Sequence, residues 1–299
     1  MENLLITGAS GFLGKCVLDK LLEDSNYFSY VLLRARSDHK LFNQKFGKAK
    51  NLKIIVVNSE SDLYEKISPL RIDSILHLAT NYGQNGEWIS EIIQSNLTLP
   101  LTLLQMAENV GATHFINIDS FYNKPGNIQD KLFDYSVSKA ALKPWFEKYS
   151  KNIKISNLVL EHMFGPHDAP HKFIPKLITS ARKSYSDGLV LTPGKQERDF
   201  IFVEDVATAI KIVLEKNLNV RYEYSDIAVG TGIVTNLVEL ATIVNEILNV
   251  RVEAPFGTIP YPSNEIMKSV ADISFLASLG WLPSFSLRDG LKKTIMEVV

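Results

Sequence analysis

A single cysteine, Cys16, stands in 299 residues, so no disulfide can form within the chain and a reducing compartment is expected. No apolar run approaches the roughly 18–20 residues of a membrane span. Neither sign of charge dominates. Lys and Arg number 32, Asp and Glu 33, and the formal net charge of −1 argues against nucleic acid or an anionic membrane as partner. The opening "MENLLITGAS" carries Glu2 and no basic stretch before its apolar run, unlike a secretory signal. The 6 histidines are scattered, and none joins cysteines or carboxylates at zinc-ligand spacing, so no metal is expected. There is no repeat of fixed period and no low-complexity tract. What remains is an ordinary globular balance, 45% hydrophobic and 22% charged, expected to be cytoplasmic.

The first half alternates short apolar runs with longer helical patterns. The runs at 3–7, 30–34, 52–57, 74–79, 114–118 and 154–160 are rich in β-branched residues and leucine. Their near-continuous apolar character predicts strands buried on both faces of a parallel sheet. Helices are predicted at 12–24, 61–67, 88–108 and 135–149. The alternation predicts an α/β fold with a doubly wound parallel sheet. The pattern changes near residue 161, at "EHMFGPHDAPH". A helix over 172–184, a short strand at "LVLTPG", the stretches "RDFIFVEDVATAIKIVLE" and "TNLVELATIVNEIL", and a helix near 287–299 follow. The expected organisation is a dinucleotide-binding domain over 1–160 and a smaller substrate lobe over 161–299, interleaved with the end of the sheet.

Directly after the first strand comes "TGASGFLGKCVLDKLL", with Gly8, Gly11 and Gly14 three residues apart. A tight turn, a close backbone approach to a pyrophosphate, and close packing of helix on strand each require a residue without a side chain. Ser10, Phe12 and Leu13 complete the loop and open the helix, whose free N–H groups suit phosphate. The position between strand and helix is the context this motif needs. The second strand ends in "LLRARSDHK". An acidic residue there would accept from an adenosine 2′-hydroxyl. Arg34, Arg36 and Ser37 instead suit a 2′-phosphate, so NADPH is expected over NADH.

Taken in order, further motifs resemble the extended short-chain dehydrogenase/reductases of the NAD-dependent epimerase/dehydratase family, in the nucleotide-sugar branch. They are "TGASGFLG", "HLA" (77–79), Asn96 in "QSNLTLP", the serine of "INIDSF", "YSVSK", "FGP", "RDFIFVEDVA" and "ADISFLASLGWLPSFSLRDGLK". The resemblance implies that Ser120, Tyr135 and Lys139 are the catalytic residues, and that Asn96 supports the lysine through a water. It places Leu78, Ala79 and Thr80 beside the cofactor. Arg198 falls at the arginine that holds a nucleotide-sugar diphosphate, and Phe121 and His162 fall on the substrate side. "LVLEHMFGPHD" with "GKQERDFIF" looks most like the CDP-paratose and CDP-abequose synthases, which reduce the 4-keto group of a CDP-linked dideoxyhexulose. The helices 88–108 and 135–149 correspond to those that pair in the family's homodimers. Many members carry a further arginine near 261–265, where this chain has "PYPSNE" over 260–265.

Chemistry supports those roles. A phenol with a reference pKa near 10 exchanges protons poorly at neutral pH, and a nearby ammonium is expected to lower that value. Tyr135 and Lys139, four apart, share a helix face. Members that dehydrate the sugar place an Asp-Glu pair after the serine or threonine, and the GDP-fucose synthase branch places a cysteine two residues after it. Here those positions hold Phe121 and Tyr122. The expected activity is therefore an NADPH-dependent 4-keto reduction of a nucleotide-linked, CDP-type deoxyhexulose for bacterial surface polysaccharide. A 4-epimerase using bound NAD and a non-catalytic dinucleotide sensor or scaffold are the alternatives. His167 and His171 lie in the same loop as His162 as other candidate bases.

Overall fold

The structure is a computed structural model that describes residues 1–35, 39–84, 86–123, 126, 128–216 and 223–297. The chain forms two compact units, Met1–Val159 with Ala207–Ile227, and Leu160–Val206 with Ala228–Val299.

The first unit is built on strands β1 (Glu2–Thr7), β2 (Tyr27–Arg34), β3 (Leu52–Val57), β4 (Ser74–His77), β5 (His114–Ser120) and β6 (Lys154–Leu160). β7 (His162–Phe164) and β8 (Glu197–Phe202) follow in the chain, then β9 (Tyr224–Val229), which returns to the main sheet. The order is β3-β2-β1-β4-β5-β6-β9. β1 pairs in parallel with both β2 and β4, and β2–β3 and β4–β5 are also parallel. The order reverses beside β1, and a doubly wound sheet opens its ligand crevice at such a reversal. Continuous apolar runs are strands here because helices cover both faces. Leu4, Leu5 and Ile6 are all fully buried although alternate side chains point to opposite faces.

One face packs Leu5, Ile75, Phe115 and Ile155 of the strands against Leu103, Leu104, Ala107 and Val110 of the helix Leu99–Val110, with Leu142 and Phe146. Each such side chain contributes roughly 1.5–3 kcal/mol by leaving water. That helix carries Pro100 in its first turn and stops at Gly111, whose φ of 81° caps it in the left-handed region.

Two expected helices are interrupted. The stretch 88–108 is Ile89–Ile93, a π-helical turn over Gln94–Thr98, then Leu99–Val110. The stretch 135–149 divides into Phe133–Ala140 and Lys143–Tyr149. Pro144 forces that break, since inside a helix it would remove a hydrogen bond and clash with the carbonyl of Ala140. A helix His39–Phe46 was not anticipated. It buries only Phe42 and Phe46, too few apolar positions for a periodic signal.

The second unit centres on β8. It pairs in parallel with β7 and β11 (Lys268–Ser269) and antiparallel with β10 (Val234–Asn236). Phe164, Phe200 and Phe202 pack there with Leu177, Ile178, Leu240, Val244 and Leu291. Asp199, fully buried, accepts from the backbone N–H groups of Thr231, Gly232 and Ala271, which ties two segments to β8. Asp205, in the first turn of the helix Val203–Glu215, accepts from Ser284 and Phe285. The strand expected at "LVLTPG" is not one. Leu191 and Thr192 are bridged to Ile259 and Gly257 by single backbone bonds of 3.2 and 3.1 Å, without a ladder.

Candidate active site

The glycines make a cradle that no other residue fits. Gly8 has φ 71°, and a Cβ on it would lie 2.4 Å from the Ala79 nitrogen. A Cβ on Gly14 would lie 2.1 Å from the Gly8 carbonyl oxygen, which is what seats the helix Phe12–Leu22 on the turn. Gly11 caps that helix without any side-chain hydrogen bond, and its first turn holds no acidic residue. A helix start of this kind suits an anion, and the cradle fits the pyrophosphate of a dinucleotide. Ser10 and Phe12 are partly accessible beside it, and Leu13 is buried.

The end of β4 closes in from the other side. Leu78 N–H donates to the Thr7 carbonyl at 3.2 Å, and Ala79 N–H to Thr7 Oγ1 at 3.3 Å. Thr80 is half-buried in the same loop. Arg34 is the exposed last residue of β2, aligned with Val57. Arg36 and Ser37 lie outside the described residues.

Ser120, Tyr135 and Lys139 come together at the carboxyl end of β5. Ser120 is its last residue. Tyr135 and Lys139 lie on one face of the helix Phe133–Ala140, each 2% exposed. Ser120 lies beside the Tyr135 phenol, and Lys139 Nζ donates to the Ile118 carbonyl at 2.5 Å. The phenol is not lowered as its neighbour's charge led us to expect. Burial pushes Tyr135 well above its ordinary value, Tyr82 adds to this, and Ser120 opposes it. Burial also lowers Lys139, against the attraction of Asp119. Removal from water dominates both shifts.

Tyr82 and Asp119 escaped sequence reasoning. Tyr82 stacks on Tyr135, with ring centroids 4.5 Å apart and planes 19° apart. Asp119 accepts from the Ser120 N–H at 2.8 Å, from Asn157 at 2.9 Å and from Asn123. Burial raises its carboxyl above the usual range, with Lys139 pulling the other way. Asn96, fully buried in the π-helical turn, holds Asn81 at both backbone atoms at 2.8 Å and donates to Ser138 at 3.1 Å. Insertions of this kind often sit at functional sites because they re-aim a side chain. The available signal for Tyr82 was its place in the loop after β4, where open sheets hold ligands.

Phe121 is buried and its ring lies 4.0 Å from that of Tyr122. His162 and Arg198 belong to the second unit. His162 meets Phe200 edge-on at 5.7 Å, and burial, helped by Arg198 and Lys172, pushes it down to about 3, so its ring is neutral. Arg198, 6% exposed, pairs with Glu265 at 2.5 Å, within the stretch where the family's extra arginine was sought. Lys268 pairs with Glu197 at 3.3 Å. The same unit contains a cavity of about 240 Å³ lined by Phe173, Lys176, Leu177, Leu189 and Leu191 among others. Among the described residues no cluster could hold a metal ion, and no helix is long and apolar enough to cross a membrane.

The family model described as "NAD dependent epimerase/dehydratase family" matches residues 4–230. The chain belongs to that family. It is similar to the CDP-abequose synthases of Salmonella muenchen and Salmonella typhimurium, each 31% identical. The first match covers 98% of this chain and 97% of that protein, the second 99% and 98%. Among solved structures, the fold is similar to UDP-glucuronic acid 4-epimerase from Bacillus cereus in complex with UDP-glucuronic acid and NAD. The TM-score is 0.81 at 22% identity, over 99% of this chain and 98% of that one. The chain is thus an α/β enzyme of the extended short-chain dehydrogenase/reductase type, in a family that acts on nucleotide sugars through a nicotinamide dinucleotide.

Proposed function

We propose that the protein is an NADPH-dependent 4-keto reductase of a nucleotide-linked deoxyhexulose, CDP-linked, in bacterial surface-polysaccharide synthesis, and that it works as a cytoplasmic homodimer. The observation that carries the reading is Ser120, Tyr135 and Lys139 buried together at the end of β5, with Phe121 and Tyr122 after the serine where dehydrating members carry an acidic pair. The full-length similarity to CDP-abequose synthases supports the sugar class.

When bound, NADPH supplies a hydride to the carbonyl carbon. Gly8, Gly11 and Gly14 with Ser10, Phe12 and Leu13 hold its pyrophosphate, and Leu78, Ala79 and Thr80 flank it. Lys139 and Tyr135 hold its nicotinamide ribose. Ser120 hydrogen-bonds the sugar's carbonyl oxygen, and Tyr135 gives that oxygen its proton. Lys139 keeps positive charge near the phenolate that remains. Phe121 and Tyr122 offer no base to take a carbon-bound proton, which disfavours elimination and epimerisation at C3 or C5. Arg198 binds the diphosphate, for which it must exchange its pairing with Glu265. His162, neutral, lies on the sugar side.

With a 4-keto-6-deoxy or 4-keto-3,6-dideoxy sugar nucleotide, one NADPH is consumed per sugar, and label from 4-deuterated NADPH of the correct face appears at sugar C4. Conversion of a 4-hydroxy sugar to its C4 epimer without net cofactor use would show an epimerase. Cofactor binding with no turnover on any sugar nucleotide would favour the sensor or scaffold.

Cofactor choice rests on Arg34 with Arg36. NADPH is expected to bind at least about tenfold tighter than NADH, or about 1.4 kcal/mol. The double change Arg34→Ala with Arg36→Ala erases most of the difference in a fluorescence titration, and equal affinities in the unmutated protein sink the idea. The dimer is supported by apolar side chains left exposed along two helical stretches, among them Ile89, Ile93, Val137 and Trp145. Sedimentation should give twice the chain mass of 33.6 kDa, and a monomer at micromolar concentration would refute it.

A further inference from the structure

We propose that Glu265 is an internal competitor for the diphosphate: its carboxylate holds Arg198 where a phosphate would, and so sets how tightly the sugar nucleotide binds. The inference rests on the reading of Arg198 given above. Arg198 Nη2 donates to Glu265 Oε1 at 2.5 Å, and Nη1 donates to the Glu197 carbonyl at 2.9 Å. The side chains of the pair are 7% and 13% exposed. A guanidinium so enclosed has little surface for an incoming anion, so carboxylate and phosphate compete for the same fork of donors.

The two partners differ in what holds them. Arg198 stands in β8 between two neighbours, aligned with Thr235 of β10 and Ser269 of β11. Glu265 stands in an irregular stretch. At one end of it the Tyr261 hydroxyl accepts from the Lys195 N–H at 2.8 Å. At the other the Met267 carbonyl accepts from the Glu197 N–H at 2.8 Å, and Ile266 is buried. Between these ties Pro262 and Ser263 are exposed, and the Glu265 N–H closes a turn onto the Pro262 carbonyl at 3.2 Å. When an anion arrives, the carboxylate is therefore the partner that moves, and the arginine stays in the sheet.

Removing one partner of a buried ion pair leaves a charge without its counter-ion, so Glu265 departs only in exchange for another anion. A ligand that must displace an occupant has its affinity reduced by the fraction of molecules in which the site is open. Glutamine has nearly the shape of glutamate and still accepts a hydrogen bond, but carries no charge. Glu265→Gln therefore weakens the occupant and leaves Arg198 a buried cation without a counter-charge.

The test is CDP binding by calorimetry, with NADP⁺ saturating so that the dinucleotide site is filled. Glu265→Gln is expected to bind CDP at least about tenfold tighter than the unmutated protein. Its melting temperature falls without ligand and rises more with CDP than that of the unmutated protein. In an Arg198→Ala background the same change gives a much smaller gain, because the competition is for the arginine. Glu265→Asp keeps the charge on a shorter side chain and gives a smaller gain, and it serves as the test if the glutamine variant does not fold. CDP binding no tighter in the variant overturns the proposal. A gain of equal size without Arg198 overturns it too, since Glu265 would then merely repel the ligand. If Arg198→Ala leaves CDP affinity unchanged, or the unmutated protein does not bind CDP, the diphosphate reading of Arg198 falls and the competitor with it, a result distinct from either outcome at Glu265.

Discussion

Tyr135→Phe is expected to lower turnover by two to four decades while cofactor affinity stays near its original value. Phenylalanine keeps the ring that packs on Tyr82 and removes only the hydroxyl. General-acid catalysis of this kind is worth typically about 10²–10⁴ in rate, or roughly 3–5 kcal/mol of barrier at 1.4 kcal/mol per decade. The raised pKa of the phenol sharpens the expectation. A phenol held above its ordinary value keeps its proton at neutral pH, as a donor to a carbonyl oxygen should, and gives it up only as the oxygen gains charge. Lys139→Ala should differ in kind, harming both turnover and cofactor binding. Retention of near-normal activity by Tyr135→Phe would remove the tyrosine from the mechanism.

The second large effect concerns stability and acid. His77 and His114 are pushed down from 6.5 to about 3 by burial, with Lys139 and Lys154 adding to the effect. Each is 1% exposed or less, so both are neutral in the folded chain. His77 Nδ1 meets Thr7 Oγ1 at 2.8 Å, and His114 Nε2 meets Ser156 Oγ at 2.9 Å. An unfolded histidine takes up a proton below about 6.5 and the folded one does not. The stability held by these groups is therefore complete above pH 6.5 and drains away as pH falls towards 3. At about 1.4 kcal/mol per pH unit for each, these two should cost roughly 3 kcal/mol between pH 7 and 5.5, and His162, likewise held down to about 3, adds to the loss in the same window. Glu2 and Asp119, raised in the fold, act in the opposite direction as pH approaches the carboxylate range. The window above pH 5.5 isolates the histidines. Denaturant midpoints at the two pH values measure the effect, and a flat profile between them would contradict it.

Local sequence determined the strands of the main sheet and the glycine cradle. Runs such as "NLLIT" and "LKIIVV" are too short and too continuously apolar to be surface helices. A turn at φ 71°, where a Cβ would lie 2.4 Å from a neighbouring backbone nitrogen, admits only glycine, so the residue type carries the geometry. The Tyr135–Lys139 pair was legible for a similar reason, since helical spacing puts both on one face. The breaks at Pro144 and at the π-helical turn were less so. The first has a local cause that the apolar periodicity masked, and the second depends on what Asn96 must reach, forty-two residues from Ser138.

Tertiary structure alone decided the electrostatics and the company of the reacting groups. The phenol rises rather than falls because burial is a sum over elements distant in sequence, and no spacing records that sum. Tyr82 meets Tyr135, and Arg198 meets Glu265, across 53 and 67 residues of chain, distances over which sequence carries no pairing signal. The residues proposed to perform the chemistry could be picked out because their types and spacings are demanded by short-range geometry. The residues that tune them were not, because desolvation and side-chain contact exist only once the chain has closed on itself.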